Sequence, residues 1–288
     1  MMSEASLPAT SLPIDKLETV RIRAGRSEGQ YWKDLFSYRE VLYVLAWRDV
    51  LVRYKQAAFG VAWAVIRPLI TTLVFTLIFG RFGKFPADGA PYPLMVFVGL
   101  WPWHFFSGAL LDASNSLVAN QNLVSKVYFP RLLVPLASNA AATVDFLCSA
   151  TILAGMMIWF GVVPTWRVIV LPLFFCVALA TSAGCGFWLS ALNVKYRDFR
   201  FIVPFLLQFG LYLSPVGFSA KVVPEKWMLL YSLNPMVGVI QGFRWALLGG
   251  ESQIYWPGFG LALLLVAIIF AGGLTYFRRV ERTLADVI

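Results

Sequence analysis

Three ionisable side chains stand where charge is costly. His104 lies in the run WPWHFF, Asp112 closes the same apolar stretch, and Asp145 stands near the middle of another. Groups at such depth face a bundle interior or a water-filled path. The chemistry open to them is narrow. His104 is the only histidine of the chain, and one histidine builds no metal cluster. We therefore expect neither a metal site nor a catalytic centre, with His104 packed between helices or facing a pore. Asp145 reads as a proton relay or as a structural hydrogen-bond acceptor. The structural role is favoured, because no second acid or base accompanies it at the membrane centre. A phosphate-cradling loop is missing as well. The one Gly-Lys pair, Gly83-Lys84, precedes Phe85 without the glycine spacing that such a loop needs. Any ATP-driven step must draw on a second polypeptide.

The elements that position these groups follow from composition. The chain has 288 residues, of which 59% are hydrophobic and 14% charged, with a mean hydropathy of +0.71. Soluble domains carry roughly 25% charged residues, so the deficit points to a membrane protein. The net charge of +9 does not argue for nucleic acid, since the basic residues sit between apolar runs and form no continuous face. Cys148, Cys176 and Cys185 lie inside apolar runs without CxxC spacing and read as small packing residues.

A crossing helix needs roughly 20 apolar residues. The runs 61–80, 94–111, 132–160, 168–194 and 256–277 qualify, and 201–220, shorter and interrupted by Pro204, Gln208 and Pro215, reads as a sixth span. Residues 227–248 are long enough for a seventh, but Asn234-Pro235, Gly238, Gln241-Gly242 and Arg244 interrupt them. Charge decides. Lys33, Arg39, Arg48, Arg53 and Lys55 precede the first span, and Arg278, Arg279 and Arg282 follow the last. Both ends thus prefer the cytoplasm, which requires an even number of crossings. The stretch about 221–248 then dips in and returns as a re-entrant hairpin. With six spans, 18 of the 24 Lys and Arg fall inside and six (Arg81, Lys84, Arg167, Lys221, Lys226, Arg244) outside.

The expected fold is an all-α membrane protein with six transmembrane helices, an N-terminal amphipathic interfacial helix, and re-entrant helices between spans five and six. Residues 1–30 form a cytoplasmic tail, 31–60 the interfacial helix, 61–282 the six-span domain and 283–288 a cytoplasmic terminus. In 38–59, Trp47, Leu51, Tyr54 and Ala58 share one helical face, and Asp49, Arg53 and Gln56 another. Asp49 and Arg53 make an i,i+4 pair, and such a basic amphipathic helix lies in the headgroup region. Trp63, Phe75, Phe79, Trp101, Trp103 and Phe105, with Phe106, crowd the first two spans. They read as lipid-facing anchors or as a conduit lining whose flat apolar faces stack weakly on sugar rings.

In order and spacing, WRDVLVRYKQAAFGVAWAVIRPL (47–69), NLVSKVYFPRLLVPLA (122–137), LNVKYRDFRFIVPFLLQ (192–208), LSPVGF (213–218) and LNPM (233–236) resemble the permease subunit of polysaccharide-exporting ABC transporters, the ABC-2 type permeases that export O-antigen, capsule or teichoic acid. The likeness spans roughly 38–282. It implies a homodimer in the inner membrane of a bacterium with a central channel, and two nucleotide-binding ATPase subunits that hold ATP and Mg while this chain binds no cofactor. It also implies a lipid-linked polysaccharide substrate and a coupling helix around Asn120–Tyr128, with Asn122, Ser125, Lys126 and Tyr128 at the ATPase. Arg197 and Asp198, in the charged gap LNVKYRDFR, would pair with the ATPase or the interfacial helix. Arg48, Arg53 and Lys55 would attract the lipid diphosphate at entry. Alternatives are an exporter of a drug or small lipid, a membrane-embedded glycosyl- or acyltransferase, and a proton-driven carrier using Asp145.

Overall fold

The computed structural model describes residues 28–55, 60–249 and 252–281, with side chains described in 31–55, 65–249 and 252–281. The expected tail through residue 27 and the terminus 283–288 lie outside the described residues.

Among these the fold is helical. Helices α1 (Glu28–Ser37) and α2 (Arg39–Lys55) precede α3 (Gly60–Phe75), which continues as a π-helical turn over Thr76–Phe82. Then follow α4 (Tyr92–Ala119), α5 (Gln121–Lys126), α6 (Leu133–Ala137), α7 (Asn139–Trp159) and α8 (Leu171–Lys195). The chain ends in α9 (Phe199–Leu213), α10 (Glu225–Tyr231), α11 (Pro235–Leu247) and α12 (Trp256–Glu281). Five segments are long and apolar enough to cross a bilayer: Val65–Phe82, Tyr92–Ala119, Leu133–Trp159, Trp166–Lys195 and Trp256–Glu281. They coincide with the five long apolar runs, because a run of that length has one cheap conformation in hydrocarbon. The expected sixth span differs. Helix α9 has 15 residues and stops where Ser214-Pro215 turns the chain out of helical geometry.

Helix α4 organises the bundle. Of its apolar window 78% is buried, against 17–39% in the other four, and α3, α7, α8, α9 and α11 all pack on it. The larger core gathers Phe97, Leu100 and Phe105 of α4 with Phe146, Phe174 and Phe243. A second core holds Leu45 of α2, Leu117, Val124 of α5, Phe129, Phe187 and Phe277. Tyr31 Oη donates to Glu281 Oε2 (3.0 Å), and the Arg131 amide donates to Glu281 Oε1 (2.8 Å). One end of the bundle therefore gathers α1, the segment after α5 and the tip of α12. Burial, and then the Glu281 carboxylate, push the Tyr31 phenol above its usual range.

The interrupted stretch 227–248 forms two helices, α10 and α11, broken at Ser232–Asn234, where the Asn234 side chain caps the Met236 amide (3.0 Å). Arg244 does not loosen this segment. It is 2% exposed and donates to the carbonyls of Val216 (2.7 Å), Phe218 (2.9 Å) and Met95 (3.3 Å). The non-helical turn after α9 thereby finds donors for carbonyls that water does not reach.

Candidate functional site

A cavity of about 730 Å³ opens among α2, α3, α4, α7 and α9, within the roughly 300–1,000 Å³ of ligand pockets. Proline 68 interrupts α3 on its wall, and Pro204 does the same on α9. Trp101, Trp103, His104 and Phe105 of α4 line it, with Phe146 of α7 and Gln208 of α9. Trp101 is fixed twice: its ring stacks on Phe146 at 4.2 Å, and its indole N–H donates to the Phe146 carbonyl (2.9 Å). Trp103 is 4% exposed and lies against Gly210 of α9, where an added Cβ would come within 2.8 Å of its ring. These aromatics form a rigid wall rather than a mobile fringe.

A charged knot closes one side. Arg53, from α2, donates through Nη2 to Asp112 of α4 and through Nη1 to Asp145 of α7 (2.6 Å). The neighbouring Tyr54 hydroxyl donates to the other oxygen of Asp145. All four residues line the cavity. Burial acts to lower the Arg53 pKa, but the two carboxylates outweigh it and raise it. Burial, then the bond to Asp145, push Tyr54 above the usual phenol range. Two expectations are corrected here. Asp145 does not stand alone, since Asp112 and Arg53 share its site. Nor does Asp49 pair with Arg53: Asp49 accepts from Arg48 (2.7 Å), because tertiary partners on two spans outcompete the local i,i+4 geometry.

Arg48 also donates to Asn120 Oδ1 (2.6 Å), the residue between α4 and α5. Helix α2 is thus held at the root of α5 and, one turn and a half further along, two turns inside α4. Val124 of α5 and Phe129 are buried, while Asn122, Ser125, Lys126 and Tyr128 are exposed. The short helix is anchored on one side and presents the other outward. Arg197 and Asp198, between α8 and α9, are exposed, and neither forms an ion pair with α2 among the described residues. Lys55, the last residue of α2, is exposed too.

Of the six aromatics singled out, Trp101, Trp103 and Phe105 meet at the cavity. Phe75 and Phe79 pack elsewhere, Phe75 stacked on Tyr212 of α9 at 5.9 Å and Phe79 against Phe85. Trp63 lies in α3, its side chain outside the described ones. Sequence reasoning missed Phe146, took Gln208 only as an interruption of the sixth run, and counted Arg67 only among the 18 inner lysines and arginines. The signal for Arg67 was its place inside an apolar run, directly before Pro68.

The chain matches the family model described as ABC-2 type transporter over residues 40–248. It is 24% identical over 259 residues to the O-antigen export system permease protein RfbA of Klebsiella pneumoniae, covering 86% of this chain and 95% of that one. Against the protein of the same name from Myxococcus xanthus it is 26% identical over 252 residues, covering 86% and 96%. It is 22% identical over 251 residues to the polysialic acid transport protein KpsM of Escherichia coli, covering 83% and 93%.

Proposed function

The chain belongs to the ABC-2 type transporter family, and from that premise we propose that it is the channel-forming membrane subunit of an ATP-driven exporter of lipid-linked polysaccharide. The observation that carries this reading is the near full-length likeness to permeases of O-antigen and polysialic acid transport. The cavity supports it: an aromatic wall on α4 and α7 offers sugar rings flat, sequence-tolerant contact. Two copies pair around a central channel, and two ATPase subunits, holding ATP and Mg, dock on the exposed side of α5. Arg197 and Asp198 complete that docking face. The protein resides in the inner membrane with both termini cytoplasmic, six crossings, and α10–α11 as the re-entrant pair.

In this reading, nucleotide-driven closure of the ATPases displaces α5. The Arg48–Asn120 bond carries the displacement into α2, and the Arg53 knot carries it to α4 and α7 beside the cavity. Arg48 and Arg53 are engaged within the chain, so Lys55 is the exposed cation of the set left to attract a diphosphate at entry. The test is deletion of this chain in its native host. Lipid-linked glycan is expected to accumulate in the cytoplasm and surface polysaccharide to vanish, both restored by the wild-type chain. Unchanged surface polysaccharide would refute the function. Export that survives ATP depletion but stops on Asp145→Asn would favour a proton-driven carrier instead.

A further inference from the structure

The cavity's cations are not equivalent. Arg53 is closed off by Asp112, Asp145 and the neighbouring Tyr54. Arg67, on the α3 wall, makes no ion pair and no side-chain hydrogen bond among the described residues, and it is exposed on its helix. It is the third residue of the candidate span Val65–Phe82, whose only other charged residue is Arg81. A guanidinium within a span is costly without a partner.

Two further lining groups lack a partner within the chain, one of them buried. His104 Nε2 is buried with no hydrogen-bond partner, and His104 and Arg67 line the same cavity. The Gln208 side-chain amide, exposed on α9, lines the same cavity and has no partner within the chain among the described residues. Ser107 and Ser149, by contrast, already donate to backbone carbonyls of their own helices. The set free to take a ligand is thus one exposed guanidinium, one buried imidazole nitrogen and one exposed amide. Arginine's planar fork matches phosphate oxygens two at a time, while the imidazole and amide each supply an N–H. A carboxylate knot next door disfavours an anion at Arg53 and leaves Arg67 as the cation able to take one.

We propose that Arg67, His104 and Gln208 form a binding site for the phosphate group of a membrane lipid, reached through the cavity. The proposal rests on the exporter reading for its physiological ligand, a polyprenyl diphosphate carrier. An ordinary anionic phospholipid offers the same chemistry.

The experiment uses the full chain in phosphatidylcholine nanodiscs, with lipid retention read by native mass spectrometry. The probes are undecaprenyl diphosphate, undecaprenol and phosphatidylglycerol. Wild type is expected to retain undecaprenyl diphosphate but not undecaprenol. Arg67→Gln should weaken retention on the order of tenfold, as loss of a charge-assisted pair does, and Arg67→Lys should recover part of it. His104→Leu and Gln208→Leu should each cost a factor of about three, and they carry the comparison if Arg67→Gln does not accumulate. Competition by phosphatidylglycerol at equal concentration assigns the site to bulk anionic lipid. Its failure to compete assigns the site to the diphosphate carrier. Equal retention by wild type and the three variants, or none by wild type, overturns the proposal. The exporter reading fails separately, through normal surface polysaccharide in the deletion strain.

Discussion

Arg244 is the only buried lysine or arginine among the described residues, and it solves a backbone problem rather than a charge problem. Its guanidinium reaches three carbonyls on two segments, two of them in the turn after α9. Arg244→Leu strands those carbonyls at about 1–3 kcal/mol each. The variant is expected to unfold at markedly lower temperature in detergent, and Arg244→Lys to recover only part, since one ammonium does not span three acceptors. Unchanged melting of Arg244→Leu would show that water satisfies the turn. The Arg53 knot has the opposite logic. Arg53→Gln leaves Asp112 and Asp145 facing each other and should cost about 1–3 kcal/mol at this partly exposed site. Transposing the charges, as Arg53→Asp with Asp145→Arg, should regain stability that neither single change keeps. A doubly changed protein no more stable than the worse single variant would deny the pairing. Neither arrangement was legible in the sequence. Asp145 lies 92 residues from Arg53, and nothing local distinguishes an arginine that binds carbonyls from one that interrupts a span.

At the scale of elements, the five long helices were readable because length and apolarity alone decide them. The closeness of their packing was not. Helices α8 and α12 cross where Gly184 meets the Phe270 backbone and Gly273 meets the Gly184 carbonyl. A Cβ at Gly273 would sit 2.3 Å from that oxygen, and one at Gly184 would sit 2.8 Å from Phe270 Cα. Small residues let backbones approach in lipid, where packing rather than water drives association. Gly273→Val must therefore spread the two helices, at about 1–3 kcal/mol or more. Since Phe187 and Phe277 of the second core flank the crossing, the damage should reach α1, α2 and α5. The expected readout is lower thermal stability with weakened recovery of the ATPase on co-purification. Gly260→Val serves as the control, because a Cβ there meets nothing within 4 Å. Equal behaviour of the two variants would remove the close crossing from the account.

The molecule as a whole turns on whether α9 completes a crossing. Fifteen residues rise only about 22 Å, short of the roughly 30 Å hydrocarbon thickness. The missing length is available in 214–219, which is not helical yet is buried through Ser214–Gly217 and at Ser219 in all but one position. Its polar groups are answered within the protein. Arg244 takes two carbonyls, the Tyr92 hydroxyl donates to that of Gly217, Asn234 Nδ2 donates to Ser214 Oγ (2.9 Å), and Ser219 Oγ donates to Asp88 (2.7 Å). Irregular backbone is tolerated at membrane depth where it is buried in protein in this way. We therefore expect 199–219 to cross as a unit, the 15-residue helix continued by the braced turn. That puts Arg197 and Lys226 on opposite sides of the membrane. With Cys148, Cys176 and Cys185 replaced by alanine, single cysteines at 197 and 226 can be labelled in intact cells with a membrane-impermeant maleimide. Position 226 should react from outside, and 197 only after permeabilisation. If both react from the same side, α9 turns back and the number of crossings is odd. The two chain ends would then lie on opposite faces, and the sidedness read from the 18 inner lysines and arginines would fail with it.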